Sequence, residues 1–156
     1  MHVNAIRPIL NVTDVPASIL WFEKLGFHRG MAWNAGGGLI DDAQLENEHG
    51  PATFGSVCAN SAEEGEGPLI FLCRDAQGKR DPDPTPDLEG WDFGAVWMSW
   101  WVDDVDAAHA ECVRHGVTVV RPPMNESWGI RECLVLHPDG HCFRISGPVT
   151  EGGDAG

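Results

Sequence analysis

The stretch Val-Trp-Met-Ser-Trp-Trp-Val-Asp-Asp-Val-Asp-Ala-Ala-His-Ala-Glu-Cys-Val-Arg-His-Gly-Val, residues 96–117, decides the fold of this chain. Residues 96–102 are apolar and rich in aromatic and β-branched side chains, which predicts a strand. Asp103 or Asp104 can cap a following helix, because a carboxylate accepts from its unpaired N–H groups and suits the positive end of its dipole. Gly116 is typical of a helix end. The stretch is therefore a strand that leads into a helix.

The same pattern occurs a second time, in residues 7–27. Equivalent positions carry the same residue in strand, cap, helix and stop signal: Val12 and Val102, Asp14 and Asp104, Val15 and Val105, Ala17 and Ala107, Gly26 and Gly116. Every pair is separated by the same 90 residues (102 − 12). One fixed separation indicates an internal duplication, although two unrelated strand–helix units could also agree by chance.

Extending this reading along the chain predicts two βαβββ modules of an α+β protein. The predicted strands of the first module are 3–12, 27–33, 53–58 and 68–73, with a helix at 14–25 and a short strand at 39–40. Those of the second are 96–102, 117–121, 131–136 and 141–146, with a helix at 104–115. We expect residues 41–50 to be a polar stretch, and Pro122-Pro123 to start a loop that carries Trp128. The predicted divisions are a module at 1–74, an acidic, proline-rich connection at 75–92, a module at 93–147 and a polar tail at 148–156.

Composition excludes several classes of protein. The 156 residues carry a net charge of −14, which argues against nucleic acid and anionic membranes as partners. No apolar run approaches the ~20 residues of a membrane span. The N-terminus lacks the basic flank and apolar core of a signal peptide, so we expect a cytoplasmic protein. Five cysteines without metal-ligand spacing predict reduced, mostly buried thiols.

Several of these motifs resemble a known family. The two strand–helix units, the Trp128-Gly129 pair and the segment Leu136-His-Pro-Asp-Gly-His-Cys-Phe143 are similar to the vicinal oxygen chelate superfamily. That superfamily includes glyoxalases, extradiol dioxygenases and bleomycin-resistance proteins, and the likeness covers roughly residues 3–147. The resemblance implies two βαβββ modules that form a cupped mixed sheet around a cavity.

The metal enzymes of that family place His or Glu at four cavity-lining positions. The resemblance carries these positions over to Arg7, Phe71, Trp97 and Arg144. None of the four side chains is a suitable ligand for a divalent cation. The resemblance therefore favours the branch without metal or cofactor, similar to bleomycin-resistance proteins. It also implies a homodimer that exchanges its N-terminal arm, because Pro8 matches a proline of that arm.

Strand alternation adds residues to the candidate binding site. If Trp97 faces the cavity, Ser99 and Trp101 do so as well, together with Arg7 and Arg144. By resemblance, Trp128 lines a ligand groove, and Trp33 is a candidate for its other aromatic wall. These residues predict a protein that sequesters a planar aromatic or antibiotic-like molecule.

Other interpretations of these residues stay open at this point. Trp97 and Trp101 could simply fill a core. Arg7 and Arg144 could recognise an anion or could pair with a carboxylate such as Glu132. The cavity could lie within one chain or between two. The alternative function is a glyoxalase-like lyase or dioxygenase that uses displaced metal ligands such as His2, Glu132 or His141.

Overall fold

A computed structural model describes residues 7–46, 50–60, 67–75 and 95–149. The chain divides into two compact units, Met1–Gly78 and Lys79–Gly156. The second unit has the order βαβββ, and the first has the same order with one short helix added, so the predicted α+β class with two repeated modules is confirmed. Among the described residues, no helix combines the length and the apolar character needed to cross a membrane.

The first unit is a four-stranded mixed sheet with one main helix. Its elements are β1 (Ile9–Val12), α1 (Val15–Glu23), β2 (His28–Asn34), α2 (Asp42–Leu45), β3 (Ala52–Cys58) and β4 (Leu69–Arg74). The strand order is β1-β4-β3-β2, with β1 and β4 parallel and the other pairs antiparallel. Asp14 caps α1 by accepting a hydrogen bond of 2.8 Å from the Ala17 N–H.

The second unit repeats this arrangement. Its elements are β5 (Trp97–Trp101), α3 (Val105–Arg114), β6 (Thr118–Asn125), β7 (Ile130–Leu136) and β8 (Cys142–Pro148). The strand order is β5-β8-β7-β6, again with one parallel pair, β5 and β8. Asp104, rather than Asp103, caps α3 through a bond of 2.9 Å from the Ala107 N–H.

An ion pair connects α3 to β7 of the second sheet. Arg131 of β7 donates from Nε and Nη2 to the two carboxylate oxygens of Asp106, both at 2.7 Å. Its Nη1 also donates to Asn125 at 3.1 Å. This fork geometry holds the pKa of Asp106 below its usual range and raises that of Arg131.

Two local predictions were wrong. Pro122 and Pro123 do not start a loop but lie within β6, which is an edge strand where the missing N–H groups are tolerated. The register of β6 shifts on both sides of Arg121, as expected for bulges. Residues 39–40 form only an isolated bridge from Leu39, and the polar stretch after them contains α2 with a capping box from Asp41.

Another predicted segment end differs from the structure, and three predicted segments fall outside the described residues. The last strand continues to Pro148, the first residue of the predicted tail. Strand residues 3–6, the connection at 76–92 and the tail beyond residue 149 lie outside the part of the chain that the structure describes.

Gly147 allows α3 to approach β8 closely. A Cβ at this position would lie 2.6 Å from the Val102 carbonyl oxygen and 2.9 Å from Val105 Cγ2. We expect Gly147→Ala to lower the free energy of unfolding by about 1–3 kcal/mol, because backbone atoms would have to shift. Gly36→Ala is the control, since only the side chain of Asn34 lies near its Cβ. Urea unfolding measures both variants, and equal stabilities would contradict the close approach.

The turn between β7 and β8 contains a buried histidine. His137 is 1% exposed, and its Nδ1 accepts a hydrogen bond of 3.0 Å from the Asp139 N–H. Its ring lies 5.5 Å from the ring of His141, between centroids. Burial, and to a lesser degree His141, lowers the pKa of His137 to about 3. The folded protein therefore holds this imidazole in its neutral form.

The lowered pKa of His137 makes stability depend on pH. Below an ordinary pKa of about 6.5 the unfolded chain binds a proton that the folded chain does not, so stability falls as pH decreases towards 3. Between pH 7 and pH 5 the expected loss from this residue is about 2 kcal/mol. His137→Asn removes the titration but keeps an acceptor for the Asp139 N–H. Urea unfolding at both pH values should show a smaller loss in the variant, and an unchanged loss would contradict the assignment.

Candidate functional site

The face of the second sheet that points away from α3 carries four of the eight candidate residues. Trp97, Ser99 and Trp101 alternate along β5 with Trp100, which stacks on Phe143 with ring centroids 4.3 Å apart. Strand pairing places further side chains on the same face as Trp97, Ser99 and Trp101, because paired residues share a face. These are Cys142, Arg144 and Ser146 of β8, and Glu132, Leu134 and Leu136 of β7. We call this surface the β5–β8 face.

The β5–β8 face contains a buried carboxylate on β7. Glu132 is 1% exposed and accepts a hydrogen bond of 2.9 Å from the Ser146 hydroxyl. Its Oε1 lies 3.6 Å from Arg121 Nη2 and 3.6 Å from Arg144 Nε. Arg121 also pairs with Glu126 at 2.5 Å. Two arginines and two glutamates therefore form a network with no net charge.

Arg144 connects this network to Trp97. Its guanidinium carbon lies 5.9 Å from the centroid of the Trp97 ring, within cation–π range. Trp97 also packs against the buried cluster of Leu134, Leu136 and Cys142. Arg144 thus pairs with Glu132, one of the two interpretations of its charge. Trp97 is partly buried against this cluster, so it contributes in part to the core.

Trp101 and Trp128 are different, because both are exposed. Trp101 is 65% exposed and Trp128 is 58% exposed. Trp128 lies in the tight turn between β6 and β7, where the Gly129 N–H donates to the Glu126 carbonyl at 3.0 Å. Gly129 has φ +84°, which favours glycine.

The register places these two tryptophans at the same end of the sheet. Trp101 is paired with Ser146, and Ile130, which follows the turn, is paired with Pro148. Two strand spacings, about 10 Å, separate β5 from β7 across the sheet. Both exposed indoles therefore lie towards the end of the sheet where β5 ends and β7 begins.

The remaining candidates lie together in the first unit. The guanidinium of Arg7 lies 5.8 Å from the centroid of the Phe71 ring. Phe71 contacts Phe54 at 5.2 Å, and Phe54 contacts Trp33 at 5.6 Å, between ring centroids. Phe54, the residue that joins the row, was missed. Strand alternation in 53–58 is the signal that could have identified it.

Each unit contains an arginine over an aromatic ring, but the positions of the arginine and the ring are exchanged between the two units. Ile9 is paired with Phe71, and Ser99, 90 residues after Ile9, is paired with Arg144. Phe71 is therefore equivalent to Arg144, as the resemblance implied, and Arg7 is equivalent to Trp97. Each unit thus holds one cation over one aromatic ring, but the two residue types occupy opposite strands.

The side chains of Arg7, Phe71, Trp97 and Arg144 do not fit a divalent metal ion. Guanidinium groups and aromatic rings are not ligands for such a cation. The described residues contain no group of three His, Cys, Asp or Glu side chains able to hold one.

Glu132 and His141, the two candidate displaced ligands within the described residues, do not lie together. Glu132 is paired with Ser146, whereas His141 lies five residues before Ser146, roughly 17 Å along an extended strand. Nδ1 of His141 accepts a hydrogen bond of 3.3 Å from the Val96 N–H. His2, the third candidate, lies outside the described residues.

Comparison with known proteins agrees with this architecture. Residues 2–145 match the model of the Glyoxalase/Bleomycin resistance protein/Dioxygenase superfamily, and the chain belongs to that superfamily, the vicinal oxygen chelate proteins. A search of curated proteins returned no match.

Solved structures show the same fold at low sequence identity. TioX from Micromonospora sp. ML1 is similar with a TM-score of 0.63 and 19% identity, over 94% of this chain and 100% of that one. A glyoxalase-related enzyme from Clostridium phytofermentans has a TM-score of 0.66 and 19% identity, over 96% and 98%. A superfamily member from Sphaerobacter thermophilus DSM 20745 has a TM-score of 0.57 and 20% identity, over 94% and 98%. The branch without metal stays a prediction.

The buried network makes a prediction about stability. Glu132→Gln keeps an acceptor for the Ser146 hydroxyl but leaves Arg144 without its anionic partner. We expect a loss of about 2–4 kcal/mol in the free energy of unfolding, since breaking a buried ion pair leaves an uncompensated charge.

Glu111→Gln is the matched control for Glu132→Gln. Glu111 forms an exposed ion pair with Arg114 on α3, and its loss should leave stability almost unchanged, because solvent screens an exposed pair. Chemical denaturation measures both variants. If Glu132→Gln is as stable as Glu111→Gln, the network does not stabilise the unit.

Proposed function

We propose that this protein binds a planar aromatic molecule on the β5–β8 face and sequesters it without metal chemistry. The observation that carries the proposal is the exposure of Trp101 on a sheet face that already holds Trp97, Ser99 and Arg144. An indole that is 65% exposed offers apolar surface to a ligand, and burying such a ring is favourable.

The geometry next to Trp101 also favours binding over a purely structural role. Trp97 and Trp101 lie on either side of Ser99, so a polar group lies between two aromatic rings. This combination of aromatic surface with a few fixed polar groups is typical of small-molecule sites. The exposed Trp128, at the same end of the sheet, supplies a second apolar contact.

Binding can be tested through the intrinsic fluorescence of the tryptophans. Titration with planar aromatic compounds, including bleomycin-type antibiotics, should quench the emission saturably. Trp101→Ala should weaken binding by about tenfold, because a lost aromatic pair costs about 1 kcal/mol beyond its buried area. Trp128→Ala should weaken it in the same direction.

Trp100→Phe is the matched control for Trp101→Ala. It removes an indole from the adjacent position of β5, where the side chain faces α3 and stacks on Phe143. Its affinity should equal that of the unaltered protein. Unchanged affinity in both Trp101→Ala and Trp128→Ala would contradict the proposal.

Other parts of the expected function stay predictions. They are binding by the first-unit residues Arg7, Phe71 and Trp33, a role in antibiotic resistance, a cytoplasmic location and a homodimer with exchanged arms. Sedimentation tests the dimer, and elemental analysis of the purified protein tests the expectation that no metal is present.

A further inference from the structure

Arg144 has donors that its partners in the sheet do not use. Its Nε lies 3.6 Å from Glu132, and its guanidinium lies over Trp97. Within the described part of the chain, these are the contacts of this side chain, and none involves its two Nη groups. The side chain is 35% exposed, so the Nη edge is accessible from the β5–β8 face. Such an edge matches a carboxylate, which it can bind with two parallel hydrogen bonds.

Ser99 offers the opposite polarity beside Arg144. The Ser146 hydroxyl donates its single proton to Glu132 at 2.9 Å. An ionised carboxylate only accepts, so the direction of this bond is fixed. The contact of 3.4 Å between Ser99 Oγ and Ser146 Oγ must then have Ser99 as the donor. Exposed Ser99 therefore presents its oxygen to a ligand as an acceptor.

The register brings these two groups together. Ser99 and Arg144 are directly paired on neighbouring parallel strands, about 5 Å apart. A donor edge and an acceptor oxygen thus lie side by side, next to the exposed ring of Trp101. A ligand that satisfies all three has a carboxylate, an adjacent hydrogen-bond donor and a planar aromatic body.

We infer that the β5–β8 face selects planar aromatic carboxylates that carry a hydrogen-bond donor next to the carboxylate, with Arg144 binding the anion and Ser99 accepting from the donor. This inference rests on the proposed function, because it names the ligand class for the same site. The net charge of −14 does not exclude an anionic ligand, since exposed charges are screened beyond about 8 Å at physiological salt. Close to the site, Arg144 is the exposed member of the charged network, and Glu132 lies buried beneath it.

Three naphthalene probes separate the contributions of charge and donor. Isothermal titration of the full chain should show 2-naphthoate binding about tenfold tighter than the neutral 2-naphthamide, because Arg144 pairs only with the carboxylate. The compound 3-amino-2-naphthoate should bind tighter again, by about threefold to tenfold, through its N–H to Ser99.

Variants assign each preference to its residue. Ser99→Ala, a small change at an exposed position, should abolish the gain from the amino group and leave the ratio of naphthoate to naphthamide unchanged. Arg144→Lys should reduce that ratio, because lysine lacks the planar fork. Arg114→Lys, on the exposed surface of α3, is the matched control and should change neither preference.

The outcomes distinguish this inference from the proposed function. Equal affinity for 2-naphthoate and 2-naphthamide, or a gain from the amino group that survives in Ser99→Ala, overturns the ligand class. If 2-naphthamide still binds in a way that requires Trp101, the aromatic site itself remains supported. If none of the three probes binds, the ligand class is overturned as well.

Discussion

The second unit depends on the buried carboxylate of Glu132 and the two guanidinium groups beside it. Removing a carboxylate from water costs several kcal/mol, and only nearby opposite charge and hydrogen bonds offset that cost. Here the compensating groups come from two other strands, Arg121 of β6 and Arg144 and Ser146 of β8. A shift of one residue in either pairing would turn these groups to the opposite face. The charge network therefore helps to specify the register that also defines the β5–β8 face.

The same network contacts one aromatic side chain and borders the turn that carries another. Arg144 lies over Trp97, and Arg121 pairs with Glu126 at the start of the turn that carries Trp128. Trp101 takes no part in the network and stays exposed. This neutral arrangement of charges suits a binding surface, because Arg144 already contacts Glu132 and Trp97 and so loses little side-chain freedom when a ligand arrives.

The two modules differ from each other at the four positions that the resemblance assigns to metal ligands. Both units keep a cation over an aromatic ring, Arg7 over Phe71 and Arg144 over Trp97. The arginine and the aromatic residue have exchanged positions between the two units. The cation–π contact is therefore kept, although neither position keeps its residue type. In the second unit Glu132 lies beside the arginine and balances its charge.

Resemblance to the superfamily assigned the four positions now occupied by arginines and aromatic residues, whereas the sequence by itself determined the two modules and their helix caps. These follow from local signals, such as the Asp caps and strand alternation, and from a repeat of constant length. Only the tertiary structure decided that β6 continues through Pro122 and Pro123, since an edge strand with bulges tolerates proline. It also decided that Arg144 pairs with Glu132 and that Ser99 must donate to Ser146, because these partners are far apart in the chain and meet only through strand pairing.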